Sequence, residues 1–239
     1  MTLTDKIFTL EGRWLMGRVI PHELYDGIAS HLLVVAPDRT DELEEAIRVR
    51  AEELVATDGD LAVDGAAKGM LAMSAVVLAA YEQLLGELDG DERRTILFLQ
   101  HVFDEALKRT MEVVIEILAS GKRPLDTVAK AMEKSSGMYG SYFEFEFDRP
   151  DAETFEMRVT RCMFHDFFAR HDATLVTTVL CSWDANWMKA LDPATSGLRA
   201  ERTSLISLGS DACRFRVVGT DDPLASYQDV LDERFATGA

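Results

Sequence analysis

The last third of the chain contains two pairs of reactive side chains, and the two members of each pair are three residues apart. Cys162 precedes His165, and Cys181 precedes Asp184. Residues three apart on a helix project from one face, so each pair presents its two groups together. A thiol beside an imidazole is held as the nucleophilic thiolate, and a carboxylate orients the imidazole or activates water. The pattern therefore predicts Cys181, Asp184, Cys162 and His165 as catalytic residues.

The ordinary interpretation of these cysteines is structural. Free cysteine is one of the most frequently buried residue types and packs as a small hydrophobic side chain. Cys162, Cys181 and Cys213 are odd in number and confined to the last third of the chain. That distribution fits a reducing compartment better than a disulfide framework. The sequence leaves both a catalytic role and a packing role open.

A zinc site is the nearest competing interpretation. Cys162, His165, Cys181 and Cys213 make a Cys₃His set of zinc-compatible ligands. Structural zinc sites place paired ligands close together in sequence, and only Cys162 and His165 are close here. The common dinucleotide, nucleotide, serine-hydrolase and zinc-protease motifs do not occur in the sequence. We therefore expect no metal and no other cofactor.

Helical patterns dominate residues 1–140. Val63–Leu88 is rich in Ala, Leu, Met and Val, which predicts a helix surrounded by other helices. Its most apolar stretch, Met70–Tyr81, is far shorter than the roughly 20 residues that span a bilayer. Apolar residues recur at helical spacing over Thr95–Leu118 and predict one long amphipathic helix. Shorter helices are predicted at Glu23–Val35, Glu42–Val55 and Leu125–Lys134.

The pattern becomes alternating after Gly140. Tyr142–Phe147 alternates phenylalanine with glutamate, and Phe155–Val159 repeats the alternation, which predicts an antiparallel hairpin. Arg158 in its second strand is expected to pair with a glutamate across the hairpin. A second strand pair is predicted at Arg199–Leu208 and Cys213–Gly219.

Two helices, Cys162–Arg170 and Leu175–Leu191, are predicted between the strand pairs. The sequence thus predicts an α+β fold, in which an N-terminal helical layer packs on a C-terminal four-stranded antiparallel sheet with two flanking helices. We expect a single domain over residues 1–239, with a mainly helical part at 1–140 and the sheet and site at 141–220. Residues 221–239 are expected to form a fraying tail with a short helix at Leu224–Phe235.

The charge balance limits the partners. The formal net charge is −17 for 239 residues, so the surface repels phosphate backbones and anionic lipid. We expect a small-molecule substrate, no nucleic acid and no membrane. Charged residues interrupt Met1–Val19, so an export signal is not indicated and a cytoplasmic location is expected. The apolar helices leave a homodimer and a monomer equally open.

Several segments in the last hundred residues resemble a known family. The segments are Phe155–Cys162, Leu180–Asp184, Glu201–Leu205, Gly209 and Cys213–Phe215. Their order and spacing resemble the C-terminal signature of the L-2-amino-thiazoline-4-carboxylic acid hydrolase family, over about Tyr142–Val217. The resemblance implies hydrolytic opening of a small sulfur–nitrogen ring, with an N-carbamoyl-cysteine type of product. Other cyclic amidines, imides or lactam-like rings are equally compatible with such a site.

The resemblance suggests roles for individual residues. Cys181 or Cys162 attacks the ring carbon, His165 transfers protons, and Asp184 orients the imidazole or the hydrolytic water. Arg202 holds a substrate carboxylate in this scheme. Trp183 and Phe143 are also predicted to bind substrate, but the resemblance does not assign these two roles. The alternative for Arg202 is a surface arginine paired with Glu201 or Glu144.

The alternative function is a non-catalytic sensor. In that case a small apolar ligand occupies a pocket between the phenylalanine-lined sheet and the helical layer, and the cysteines are inert or bind zinc.

Overall fold

The computed structural model describes residues 20–105 and 108–236, and the side chains of residues 20, 21 and 110 are not described. The chain forms two compact units, each built from separate stretches of sequence. The first contains residues 20–105, 138–142 and 163–183, and the second contains residues 108–137, 143–162 and 184–236. The fold is α+β, as predicted, with helices in both units and a sheet in the second.

Among the described residues there are eleven α-helices and five strands. The helices are α1 (Ile20–Val35), α2 (Thr40–Thr57), α3 (Gly65–Glu87), α4 (Glu92–Glu105), α5 (Lys108–Ala119), α6 (Pro124–Ser135), α7 (Met163–Arg170), α8 (Thr177–Ser182), α9 (Asp184–Lys189), α10 (Pro193–Ser196) and α11 (Val230–Ala236). The strands are β1 (Glu144–Asp151), β2 (Thr154–Arg161), β3 (Leu198–Ser204), β4 (Cys213–Gly219) and β5 (Gln228–Asp229).

Helix α3 forms the core of the first unit. Most of its side chains are buried, and it contacts α1, α2, α4 and α7. It is long and apolar enough to cross a membrane, but 72% of its most apolar window is buried inside the protein. Its burial is typical of a core helix and confirms the predicted helix surrounded by other helices.

The N-terminus of α3 is held by Asp64. One carboxylate oxygen accepts hydrogen bonds from the backbone N–H groups of Ala66 and Ala67 at 2.9 and 2.8 Å. The other oxygen accepts from the backbone N–H and the hydroxyl of Ser141 at 2.7 and 2.8 Å. Burial acts to raise the pKa of Asp64, but these hydrogen bonds outweigh it and lower the pKa to about 2. Asp64 thus caps α3 and fastens residues 138–142 to it.

The second unit contains a five-stranded mixed sheet with strand order β1-β2-β4-β3-β5. The first four strands pair antiparallel, as predicted. The prediction of four strands was wrong, because β5 adds to β3 in parallel through Glu201 and Arg202. Two residues are too few to give an alternating pattern, so the sequence carried no sign of β5.

The two faces of the sheet differ in polarity. One face carries cross-strand ion pairs, including Arg158 with Glu146 at 2.9 Å and Arg216 with Glu201 at 3.1 Å. The first of these confirms the predicted pairing across the hairpin. The other face is largely apolar and carries a row of stacked phenylalanine rings in and beside the hairpin: Phe143, Phe145, Phe147 and Phe155.

Several helices of the second unit pack on the sheet. Helix α6 contacts β2 and β4, while α9 and α11 contact β3, and α5 contacts α6 and α9. The predicted pair of flanking helices was therefore only partly right. Of the segments Cys162–Arg170 and Leu175–Leu191, only the part that forms α9 contributes a helix to this unit.

The predicted helix Leu175–Leu191 is interrupted at Trp183 and forms α8 and α9. The buried Ser182 hydroxyl donates to the Val179 carbonyl at 2.8 Å. Such side-chain bonds compete with the helical backbone ladder and favour a break. The predicted helix Thr95–Leu118 is likewise described as α4 and α5, and residues 106 and 107 between them lie outside the described residues.

The C-terminal segment is ordered by contacts rather than frayed. The expected helix Leu224–Phe235 is instead the strand β5 followed by α11. Asp229 in β5 and Leu231 in α11 are only 4% and 3% exposed. The prediction of a fraying tail was wrong up to residue 236, and residues 237–239 lie outside the described part.

We predict that crowding the Asp64 cap destabilises the protein. Gly140 has φ +77°, and a Cβ built there lies 2.6 Å from both Asp64 carboxylate oxygens. Gly140→Ala should lower the free energy of unfolding by about 1–3 kcal/mol, since it strains the backbone and displaces the cap. Gly86→Ala, at an exposed helical glycine with open space around it, is the matched control and should be neutral or slightly stabilising. Equal urea midpoints for Gly140→Ala and wild type would contradict this account.

Candidate functional site in the second unit

The second unit contains a buried ion pair beneath the apolar face of its sheet. Arg202 lies in β3 on the same face as Leu198 and Ala200, and its side chain is 0% exposed. Its Nε donates to Asp229 Oδ1 at 2.8 Å, and its Nη2 donates to Asp229 Oδ2 at 2.5 Å. The backbone N–H of Leu231 also donates to Asp229 Oδ1 at 2.9 Å. The pair is thus bidentate and further hydrogen-bonded, which burying two charges requires.

A second carboxylate approaches the same guanidinium group. Asp184, the first residue of α9, has Oδ2 3.7 Å from Arg202 Nη1. Unlike the Asp229 carboxylate, the Asp184 side chain is 28% exposed and remains accessible to solvent. One guanidinium group therefore joins a fully buried carboxylate to a partly accessible one.

The environment of Asp184 favours its protonated form. Burial is the largest cause and raises the pKa of Asp184 to about 6, although Arg202 and a hydrogen bond from Trp187 act to lower it. The negative charge of Asp229 adds to the rise. A carboxyl group that titrates near neutrality and reaches solvent is suited to proton transfer.

Aromatic rings and a thiol surround the ion pair. The Arg202 guanidinium carbon lies 5.7 Å from the centre of the Phe215 ring, which is 6.0 Å from the Trp187 ring. Cys213 is buried, and its sulfur accepts a hydrogen bond from the backbone N–H of Ile206 at 3.3 Å. Burial raises the pKa of the Cys213 thiol to about 11, so this sulfur is held as a protonated, unreactive thiol.

The structure corrects one of the two sequence interpretations of Arg202. It is not a surface arginine paired with Glu201 or Glu144, because its partner is Asp229 and it is fully buried. Two of its three nitrogen atoms are occupied by that partner. Contact between Arg202 and a substrate carboxylate stays a prediction.

The other predicted site residues are distributed over both units. His165, Cys181 and Trp183 belong to the first unit, and Cys162 and Phe143 belong to the second with Asp184 and Arg202. Asp184 and Arg202 lie together within the second unit, and a joint Cys/His/Asp constellation stays a prediction. Cys162 and Cys181 are half-buried, and no disulfide bond involves either of them. Cys162 lies between β2 and α7 and not within the helix that was predicted to start at it.

Two buried polar atoms stand out near the predicted residues of the first unit. Nδ1 of His165 and Oγ1 of Thr177 are buried and have no hydrogen-bond partner within the described residues. His165 lies in α7, which contacts α8, and Thr177 lies four residues before Cys181 in α8, on the same helical face. Buried polar side-chain atoms are hydrogen-bonded in the large majority of cases, so these two atoms are exceptions that strain, a catalytic role or a bound water would explain. Sequence reasoning missed Thr177, since a helical threonine gives no functional signal.

The described residues contain no group of three or more His, Cys, Asp and Glu side chains arranged to hold a metal ion.

Sequence reasoning also missed Asp229. A charged residue in a strand whose neighbours on the same face are Leu198 and Ala200 is expected to be buried and to need an opposite charge. The alternation in β3 thus contained a signal for a buried Arg202. It did not identify the partner, which lies 27 residues further along the chain.

The protein thus has an α+β fold and a partly accessible carboxyl group, with a pKa near neutrality, beside a buried arginine. The model of the L-2-amino-thiazoline-4-carboxylic acid hydrolase family matches residues 70–217, which is more than half of the chain. The chain belongs to this family. The match confirms the resemblance found in the sequence and extends it back to helix α3. No curated protein matches the chain.

We predict that Asp184→Asn becomes more stable relative to wild type as the pH rises. Between the unfolded pKa of about 4 and the folded pKa of about 6, the native state retains a proton that the unfolded state has released. Wild type therefore loses stability across that window, and the asparagine variant does not. From pH 5 to pH 7.5, the difference in unfolding free energy between variant and wild type should grow by about 1 kcal/mol in the variant's favour.

The control for this measurement is Asp211→Asn. Asp211 is exposed, and its hydrogen bond to Arg214 lowers its pKa, so its replacement should not give a benefit that grows with pH. Urea unfolding at both pH values measures the two differences. A difference for Asp184→Asn that is independent of pH would contradict the raised pKa.

We also predict unequal labelling of the thiols. At pH 8, iodoacetamide should modify Cys213 much more slowly than Cys162 or Cys181, because Cys213 is buried and its pKa is raised. Peptide mass spectrometry of the native protein measures the three rates, and the urea-unfolded protein serves as the control. Labelling of native Cys213 as fast as in urea would contradict the structure.

Proposed function

We propose that this protein hydrolyses a small ring that contains nitrogen and sulfur, either aminothiazoline carboxylate or a related cyclic amidine or imide. Asp184 is the group that transfers the proton. The observation that carries the proposal is the Asp184 carboxylate, partly exposed beside buried Arg202, with a pKa raised to about 6. Membership of the hydrolase family supplies the type of reaction.

Near neutral pH the carboxylate form of Asp184 accepts a proton from water and so activates it. For an aminothiazoline, the oxygen adds to the ring carbon between sulfur and nitrogen. The bond from that carbon to sulfur then breaks, and the sulfur leaves as a thiol that takes up a proton. Addition of one water molecule gives the N-carbamoyl-cysteine product. A base with a pKa near 6 is weak enough to return the proton to the leaving group.

Thiol attack is the other route within the same proposal. Cys181 and Cys162 are half-buried residues, whereas Cys213 is buried. In this route one of these thiols adds to the ring carbon, and the bond from that carbon to the ring sulfur breaks, with the ring sulfur leaving as a protonated thiol. Water then adds to the same carbon, and the bond to the enzyme sulfur breaks, which releases the product and restores the protonated enzyme thiol. The unpartnered Nδ1 of His165 supports a proton-transfer role for that histidine.

The experiment is hydrolysis of L-2-amino-thiazoline-4-carboxylate and several cyclic amidines and imides, followed by chromatography. Asp184→Asn should reduce kcat/KM by about 100-fold or more, as loss of a general base does. Cys181→Ser and Cys162→Ser, assayed separately, distinguish thiol attack from direct attack by water. Asp211→Asn, which removes an exposed carboxylate from the same unit, should retain wild-type activity.

An absence of turnover on every ring by a folded wild-type protein would contradict the proposal. That outcome would favour a non-catalytic sensor that binds a small ligand. Full activity of Asp184→Asn on a ring that wild type hydrolyses would remove Asp184 from the mechanism.

A further inference from the structure

The carboxylate that holds Arg202 comes from outside the family match. The match ends at residue 217, whereas Asp229 lies in β5. Strand β5 pairs in parallel with β3 at Arg202 itself, since Arg202 and Asp229 are register partners. The turn into α11 then presents the Leu231 N–H to the same carboxylate. Asp229 is thus fixed by its strand, by the following helix and by the arginine.

We propose that Asp229 is a positioning residue that acts on Asp184 through Arg202, so that the segment 228–236 completes the site. By occupying Nε and Nη2, Asp229 fixes the guanidinium plane and leaves Nη1 as the group nearest Asp184. By its charge, it offsets part of the positive field that Arg202 exerts on Asp184. This inference rests on the proposed role of Asp184 in proton transfer.

Few charged groups lie near Asp184 among the residues that the structure describes. Strand β3 supplies Arg202, β5 supplies Asp229, and β4 supplies the protonated thiol of Cys213. Helix α5 also packs on α9, but its buried residues are the apolar Ile115 and Ala119. Within α9, the indole of Trp187 donates a hydrogen bond. The balance between Arg202 and Asp229 therefore dominates the charge near Asp184.

The opposing effects of Arg202 and Asp229 predict that the titration of Asp184 shifts in opposite directions in two variants. In Asp229→Asn the positive charge of Arg202 is no longer offset, so the carboxylate form of Asp184 is favoured and its titration moves to lower pH. In the double variant Arg202→Met, Asp229→Leu both charges are removed. Arg202 is the nearer and stronger of the two influences, so the titration of Asp184 moves to higher pH.

The readout is the carboxyl ¹³C resonance of Asp184 in full-length protein labelled with ¹³C-aspartate, assigned by comparison with Asp184→Asn. The expected shifts of the titration midpoint are about one pH unit downward for Asp229→Asn and upward for the double variant. Where the chain hydrolyses a ring, the acidic limb of the kcat/KM profile should move in the same directions. A purely structural role would change stability without these opposite shifts.

Asp232→Asn is the matched control. It removes the same charge from the same segment, but Asp232 is exposed and accepts a hydrogen bond from Tyr227 rather than from Arg202. Its Asp184 titration should equal that of wild type. The double variant also protects the test against misfolding, since a buried ion pair replaced by apolar side chains of similar size generally folds.

The outcomes separate the two proposals. Opposite shifts in the two variants support the positioning role, even if no ring substrate is hydrolysed. A titration that is unchanged in both variants, or that moves equally in Asp232→Asn, overturns the positioning role even if hydrolysis depends on Asp184.

Discussion

The burial of one guanidinium charge under the sheet constrains the rest of the second unit. Removing a charge from water costs several kcal/mol unless an opposite charge and good hydrogen bonds replace the solvent. Arg202 meets that requirement with both oxygens of Asp229. Asp229 is supplied by β5, which pairs with β3, and the segment continues as α11, which contacts the same strand. Leaving either charge without the other would be strongly destabilising.

The same pair gives Asp184 its chemical character. An exposed aspartate is ionised well below neutral pH, and a carboxylate paired directly with arginine is ionised lower still. Asp184 is partly buried, while Asp229 offsets part of the positive charge of the arginine near it. Burial therefore has the largest effect on the Asp184 carboxyl group and raises the pKa of Asp184 to about 6. The fold that buries this arginine thus also provides a carboxyl group that titrates near neutral pH, which is the basis of the proton transfer proposed for Asp184.

Sequence patterns predicted the elements of this fold better than its site. Alternation located β1 to β4, and the composition of Val63–Leu88 identified the core helix, because both patterns reflect burial of regularly spaced side chains. The break at Trp183 and the two-residue β5 depend on local hydrogen bonds and tertiary contacts, which leave no periodic trace. Asp184 was identified as a site residue from its spacing to Cys181, whereas the structure places it beside Arg202. Asp229 is separated from Arg202 by a loop and a strand, so no local pattern connects them.

The most direct test of this account is the pH dependence of kcat/KM for wild type on L-2-amino-thiazoline-4-carboxylate, or on whichever related ring it hydrolyses. The account predicts that activity rises with pH through an inflection near pH 6, where Asp184 loses its proton. A profile that is flat from pH 5 to pH 7.5 would contradict it, because the carboxyl group beside Arg202 would then not be the group that transfers the proton.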